Sequence, residues 1–599
     1  MFGSGTLRWL GVLWLLLISV GLLTATVLIP RTALFPEASS KAGEQWVVQY
    51  NLISHTIFLI GLTAACSWLI WAAHRSDQSN IQAKNKSSLI KRFTHGIKKH
   101  PVVTGLFSFH TILMVQHTSW FFKEIIGWYK DIIGSHLLNN FALRWEITKE
   151  TMHRNDFRFY PLAHQDLHIL SWFTPYVKVW MLVNAAELFL IVILGAKIVE
   201  ALSERDNRQG TLLMFSVLFL FDAATSYTFF QFIYSERLVV LFFALHALHY
   251  CRHVKNAHHG DAYFALLYAL IGLFFKDTAF LLFTIPAFLV ILSGSMGLIS
   301  KKPRFNTLSL QEWCMAYYLE LSLCGLVLVL GVSFLYLSYL PSLYVGVDAY
   351  DSHLRFSRFE PNLRFLVLLS LSIIRMLMIV MKKVSFSLLD AFNAAALAYA
   401  LGLYAMVGFR SSNYMALPVQ FVASIDIVML YIWATSQQLA SHRIKAGALG
   451  LTSLLMASSI IGLEHQERRN FWKRIQRIQI GQDSWVKTLD QMKEISRTAR
   501  ENGDEINIIY SKSLFRNRDH LKEQLAYNRL IHFDVENNEY TVIDGTGKGS
   551  KYIPKKGGFL LNIDTGKRLF DDGLNGSQYQ KIYDYNPKIS NGKIYRRVQ

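Results

Sequence analysis

The sequence predicts an all-α polytopic membrane domain, residues 1–463, followed by a small soluble domain of α/β or α+β type, residues 464–599. Two observations carry the first part. Of the 599 residues, 52% are hydrophobic, and the apolar residues gather in runs of about 18 to 25, the length that crosses a bilayer as a helix. The second part follows from a change of composition. From Glu464 onward the chain turns polar, with Gly- and Lys-rich turns such as DGTGKG and NGK and no further apolar run of spanning length.

Taken in order, residues 9–29 follow a lone Arg8 and lack a small-residue cleavage site, so they read as a retained first span with the amino end inside. Residues 54–73 return as a second span. The loop that follows carries Arg75, Lys84, Lys86, Lys91, Arg92, Lys98 and Lys99 against the single acid Asp77, and a basic excess in a short loop marks the cytoplasmic side. A third span at 101–117 then makes 118–174 extracytoplasmic. Its segment FFKEIIGWYKDIIGSHLL places apolar pairs at helical spacing with charges between them, as expected of interfacial helices.

Further spans read at 175–200, 211–230, 238–251, 262–275, 279–294, 315–339, 363–381, 387–408, 415–434 and 445–463. The total is about thirteen, which puts the carboxyl end outside. The runs 262–275 and 279–294 are short and separated by Lys276 and Asp277, so they form a hairpin whose polar tip sits inside protein rather than in lipid. In the soluble part, 467–502 reads as a helix, EINIIYS as a strand, NRDHLKEQLAYNRLI as a helix, and the remainder as short strands.

The net charge of +19 does not point to nucleic acid, because the basic residues fall largely in loops between apolar runs, where they set orientation. Cys66, Cys251, Cys314 and Cys324 lie in or beside apolar runs, so no disulfide framework is implied.

The stretch MHRNDFRFYPLAHQDLHILSWF, residues 152–173, packs acids, arginines and histidines between apolar segments, and hydrocarbon does not tolerate such a cluster. Asp156 and Asp166 are candidate catalytic carboxylates, able to take a proton from an acceptor hydroxyl. Arg158, Arg237 and Lys276 are candidate ligands for the phosphate of a lipid-linked donor. His164, Glu236, Asp277, Arg410 and Tyr414 stand beside them as supporting residues. Six of these have a structural alternative: Asp156 and Arg158 as a loop anchor, Lys276 with Asp277 as a local ion pair, Arg410 and Tyr414 as interfacial anchors. His164 and His168, four residues apart, would share a helix face and with Asp166 invite a metal, but three such residues in a row are common by chance. No metal ligand set is assigned, and a divalent cation as cofactor is left open.

At these residues the chain resembles the membrane glycosyltransferases of the C-type fold (GT-C). The resemblance rests on the order of an acidic outer loop, NDFRFYPLAHQDL, a turn with YSER opening a span, a Lys-acid pair in the split hairpin FFKDTAFLLFTIP, and a late NYMALP segment, and it covers about residues 100 to 435. It implies transfer of a sugar from a polyprenyl-phosphate donor to a glycan, lipid or protein acceptor. A carboxylate would act as base, and Arg237 with Lys276 would steady the donor phosphate. In that family the acidic loop commonly follows the first span, whereas here two spans precede it, which leaves Asp156 and the first-loop acids Glu37 and Glu44 as alternatives for the base. The implied setting is a bacterial inner membrane, with the amino end cytoplasmic and the last domain periplasmic, and with membrane lipids but no nucleic acid as partners. An O-antigen polymerase or ligase and a polytopic transporter are the alternatives. The first would carry its large outer loop between spans, and the second would show paired halves with broken helices.

Overall fold

The computed structural model describes residues 14–15, 18–23, 26–27, 35–78, 98–117, 157–203 except 175, 210–299 except 232, 309–346, 355–439, 446–511 except 468, 521, 524–534, 538–563, and 576–599 except 590 and 591. The chain divides into two compact units, Met1–Gln116, Ala142–Leu170 and Trp180–Arg474 in one, and His117–Phe141, Ser171–Val179 and Ile475–Gln599 in the other.

In chain order the helices are α1 (Lys41–Gln78), α2 (Pro101–His117), α3 (Gln165–Ser171), α4 (Val177–Leu202), α5 (Thr211–Leu220), α6 (Ala223–Phe229), α7 (Glu236–Asn256) and α8 (His259–Gly272). They continue with α9 (Phe280–Ser295), α10 (Leu310–Ala316), α11 (Tyr318–Phe334), α12 (Leu340–Val345), α13 (Leu363–Val380), α14 (Leu388–Val407), α15 (Leu417–Leu439), α16 (Ala446–His465) and α17 (Phe471–Glu501). Six helices among the described residues are long and apolar enough to cross a membrane: Lys41–Ser76, Val177–Leu202, Tyr318–Val345, Leu363–Val380, Leu388–Val407 and Tyr414–Thr435. A seventh is added if α5 and α6, bent by 69° across a short break, count as one span. The sequence expects about thirteen. Of the difference, 9–29 falls largely outside the described residues, 101–117 forms the 17-residue α2, 262–275 with 279–294 form the shorter apolar helices His259–Phe275 and Phe280–Ser295, and 238–251 and 445–463 lie in α7 and α16, which are not among the six.

The break inside 211–230 has a local cause. Asp222 adopts an extended backbone, and its carboxylate accepts from the N–H groups of Ala224 at 2.7 Å and Thr225 at 3.2 Å, so it caps a new helix instead of continuing the old one. Elsewhere in the bundle α7 packs on α8, α8 on α1, α9 on α14 and α11, α13 on α15, and α16 on α5. Asn362 caps α13 by accepting from Phe365 N–H, and Ser387 and Asp390 form a reciprocal capping box at the start of α14. A two-residue parallel ladder joins β1 (Phe359–Glu360) to β2 (Phe409–Arg410), with Glu360 opposite Arg410.

The second unit is β-rich, as the polar carboxyl-terminal composition predicts. Strands β3 (Asn507–Ser511), β4 (Arg529–Asp534), β5 (Glu539–Gly545), β6 (Phe559–Asn562), β7 (Tyr579–Asp584) and β8 (Lys593–Arg597) form one sheet in the order β5-β4-β3-β6-β8-β7. The central β3 runs parallel to β4 and β6, and the remaining pairs are antiparallel. Side chains alternate across a strand, and both faces of β3 are used. Ile508 packs with Leu530, Leu561, Ile594 and the helical Trp485, Leu489 and Met492, while Ile509 packs with Ile531, Val542 and Leu560. One sequence expectation is corrected here. Of the helix read over NRDHLKEQLAYNRLI, 517–520, 522 and 523 lie outside the described residues, and its last three residues belong to β4 instead, where Leu530 and Ile531 are fully buried on opposite faces of the sheet.

Candidate functional site

The charged residues of the first unit are brought together by three segments: the loop 157–170, the turn 233–237 before α7, and the tip 273–279 between α8 and α9. In the loop, Phe157 and His164 both take left-handed backbone conformations, φ 58° and 69°. Such positions cost about 1–3 kcal/mol for non-glycine residues and persist where surrounding contacts enforce them. The enforcing contacts are present. Phe157 N–H donates to Ser342 Oγ at 3.0 Å, Ser338 Oγ donates to the Arg158 carbonyl at 2.9 Å, and Leu162 N–H donates to the Phe274 carbonyl at 3.1 Å. The Phe159 ring meets Phe58, Phe274 and Phe334 edge-on.

The tip cross-links its neighbours. Lys276 is in an extended conformation, φ −158° and ψ 140°, so its side chain and that of Asp277 diverge as in a strand. Asp277 accepts from the Arg158 guanidinium and, at 2.7 Å, from Phe159 N–H. Lys276 Nζ lies 2.7 Å from Glu236 Oε1, an ion pair by distance with a poor angle for a hydrogen bond, and Glu236 is buried. The adjacent Lys276 and Asp277 therefore pair with different elements rather than with each other.

Arg237, 2% exposed, donates to both Asp166 and Glu187. A buried guanidinium between two carboxylates satisfies the rule that buried charge is paired. Asp166 is held by one oxygen only: its Oδ1 is buried with no hydrogen-bond partner among the described residues. Beside this cluster, Lys276 lies over the Tyr414 ring at 5.9 Å, and Tyr414 stacks on Tyr234 at 3.8 Å between centroids, with Tyr227 tilted against both.

Of the residues singled out from the sequence, Arg158, Asp166, Glu236, Arg237, Lys276, Asp277 and Tyr414 are thus linked directly or through one partner. His164 starts the turn into α3, where its carbonyl accepts from Leu167 N–H. Arg410 lies on the short ladder instead, with Nε 3.5 Å from Glu360 Oε1. Asp156 and the side chain of His168 fall outside the described residues. Glu37 and Glu44 are exposed at the start of α1, where Ser39 Oγ donates to Glu37 Oε1 at 2.7 Å. Among the described residues no group of three or more His, Cys, Asp or Glu side chains is arranged to hold a metal.

Sequence reasoning passed over two features. Glu187, the second partner of Arg237, stands alone in the apolar run of α4, and an isolated acid in such a run is itself a signal that a partner exists. The other is a separate network on Arg364, which is fully buried in the first turn of α13. Its Nε and Nη2 donate to Glu464 Oε1 at 2.5 Å and Oε2 at 2.7 Å, its Nη1 donates to the Leu218 carbonyl at 2.8 Å and Ser424 Oγ at 3.3 Å, and Asp222 lies 3.9 Å away. A cavity of about 30 Å³ is lined by Asp222, Asn362, Glu464, Glu467, Arg469 and Asn470 among others, with room for about two waters. Burial, then the charges of Glu464 and Asp222, raise the pKa of Glu467 against the pull of Arg364.

Chemically, the first cluster offers a carboxylate with one oxygen held by Arg237 and the other buried with no hydrogen-bond partner among the described residues, beside further cations and tyrosines. That arrangement suits removal of a proton from a bound hydroxyl. A comparison with protein-family models and with curated proteins finds no match to this chain.

Proposed function

We propose that the chain is a membrane glycosyltransferase that takes a sugar from a polyprenyl-phosphate carrier and passes it to a glycan, lipid or protein acceptor on the extracytoplasmic face. The observation that supports this reading most is the convergence of the acidic loop, the YSER turn and the Lys276–Asp277 tip on one cluster in which one Asp166 oxygen has no hydrogen-bond partner among the described residues. In this reading Asp166, oriented by Arg237, accepts the proton of the acceptor hydroxyl as the sugar leaves its phosphate, and Asp156 is the second carboxylate to test for that role. The amino end is cytoplasmic, about thirteen segments cross or enter the membrane, and the carboxyl-terminal domain is periplasmic.

The test is transfer from a polyprenyl-phosphate sugar by the purified full-length protein. Asp166→Asn keeps side-chain size but removes basicity, so a general base should lose roughly 10²- to 10⁴-fold in rate with the melting temperature retained. Full activity in Asp166→Asn and Asp156→Asn alike, with loss on substitution of Glu37 or Glu44, moves the chemistry to the first outer loop. Full activity in all four variants removes the general-base assignment.

One observation favours a transporter as the second reading. The 69° break between α5 and α6 leaves helix ends inside an apolar run, next to the buried Arg364 and Glu464, and discontinuous helices of this kind line substrate sites in transporters. Uptake of a lipid-linked sugar into proteoliposomes without glycosyl transfer would select it.

A further inference from the structure

An ionisable side chain inside a membrane-spanning helix needs a counter-charge or has to give up its own charge. The buried cations of this bundle have their counter-charges: Arg237 has Asp166 and Glu187, Lys276 has Glu236, and Arg364 has Glu464. Asp426 is different. It lies on α15 inside the apolar helix Tyr414–Thr435 and is 3% exposed, and its one hydrogen bond among the described residues comes from a neutral group, Asn393 Nδ2 on α14, which donates to Asp426 Oδ1 at 3.1 Å. The second oxygen of each group, Asp426 Oδ2 and Asn393 Oδ1, is buried with no hydrogen-bond partner among the described residues.

The charges that act on Asp426 are those of Asp390 on α14 and Arg375 on α13. These two are committed to each other. Asp390 accepts from Arg375 Nε and Nη2, and also from Ser387 N–H at 2.8 Å and Ser387 Oγ at 2.7 Å. The guanidinium fork is thus spent on the acid that already has other donors, and Asp426 sits near a second carboxylate with no cation of its own among the described residues. The remaining helices packed on α15 supply none. On α5 there is no titratable side chain, and α6 has Tyr227. On α7, Glu236 and Arg237 are paired as above, while His246 is held at the Ala265 carbonyl, His249 at Asp261 and Tyr250 at Glu320.

One proton answers both loose oxygens. Placed on Asp426 Oδ2, it removes the buried charge and turns that oxygen into a donor, and Asn393 Oδ1 is the acceptor left over on the same partner. Carboxyl and carboxamide then close a ring of two hydrogen bonds. A hard metal cation fits less well, because it takes about six oxygen ligands. We propose that Asp426 and Asn393 form a proton-binding site in which Asp426 carries its proton at neutral pH. Asp390 stands three residues before Asn393 on the same face of α14, and its partner Arg375 keeps 32% of its side chain exposed, so solvent approaches within about one helical turn of the pair. The site rests on neither of the functional readings above.

The experiment is infrared spectroscopy of the full-length protein in phosphatidylcholine nanodiscs at neutral pH in sodium-free buffer, with the Asp426→Asn spectrum subtracted from that of the wild type. The difference should contain the C=O stretch of one protonated carboxyl group. A difference that contains an ionised carboxylate band instead overturns the site. Asn393→Leu leaves the proton on Asp426 but removes the hydrogen bond to its carbonyl, so the carboxyl band should move to higher frequency. That variant decides the matter even if Asp426→Asn fails to fold, and a band that stays in place overturns the pairing. Adding sodium chloride to the wild type should leave the band unchanged, whereas its conversion to a carboxylate band would assign the site to a metal cation and overturn the proton as occupant.

Discussion

Replacing Arg364 by methionine keeps much of the side-chain volume and removes the charge. The residue is fully buried and makes four hydrogen bonds, two of them to Glu464, with Asp222 close by. Breaking a buried pair from one side strands the opposite charge, which costs about 3–5 kcal/mol, more than the pair itself contributes. The Leu218 carbonyl and Ser424 lose a partner as well, at about 1 kcal/mol each. Arg364→Met should therefore lower the melting temperature of the detergent-solubilised protein well beyond the effect of an ordinary surface substitution. The double variant Arg364→Met with Glu464→Gln removes both charges and should recover more than half of that loss. Asp222 keeps the two backbone N–H groups of Ala224 and Thr225 in either case. If Arg364→Met melts with the wild type, or if the two single losses simply add in the double variant, the guanidinium is not coupled to Glu464 and the reasoning fails.

Residues 466–599, with Trp485, Leu489 and Met492 of α17 packed on the sheet, should melt cooperatively when expressed alone, and a polypeptide without a transition would show dependence on the membrane part. Within that domain Asp584 titrates below its ordinary range: burial opposes the shift, and the 2.7 Å hydrogen bond from Lys581 together with the charge of Lys593 outweighs it. A depressed folded value gives stability that is present above the unfolded pKa near 3.9 and is lost as pH falls through the folded one, so Asp584→Asn should flatten the acid limb of a stability profile. Identical acid limbs would remove Asp584 as a contributor. A reporter enzyme active only outside the cytoplasm should work when fused after Gln599 and be silent when fused at Lys86, and the reverse result inverts the topology.

The ends of the charged cluster were legible in the sequence because acids and bases between apolar runs have few places to go. The pairings were not. Lys276 and Asp277 look like a local pair in sequence, yet the extended backbone at Lys276 sends the two side chains to Glu236 and Arg158. Arg364 finds Glu464 across 100 residues and the Leu218 carbonyl across 146, and no local pattern encodes which charge at the edge of one run meets which at another. The α5–α6 break was hidden for a different reason. An Asp in an apolar run reads as a polar interruption, and only its cap geometry shows that the helix restarts there. In the last domain, Leu530 and Ile531 continue the apolar spacing of the segment before them, so period alone extended a helix into what is β4.

The Lys276–Asp277 tip has a mechanical consequence. One peptide fastens two parts of the bundle, the α7 turn through Glu236 and the 157–170 loop through Arg158 and Phe159 N–H. Drawing the α7 turn away from the 157–170 loop would need a fastening to break, so the tip holds the spacing between the two segments that carry Arg237 and Asp166.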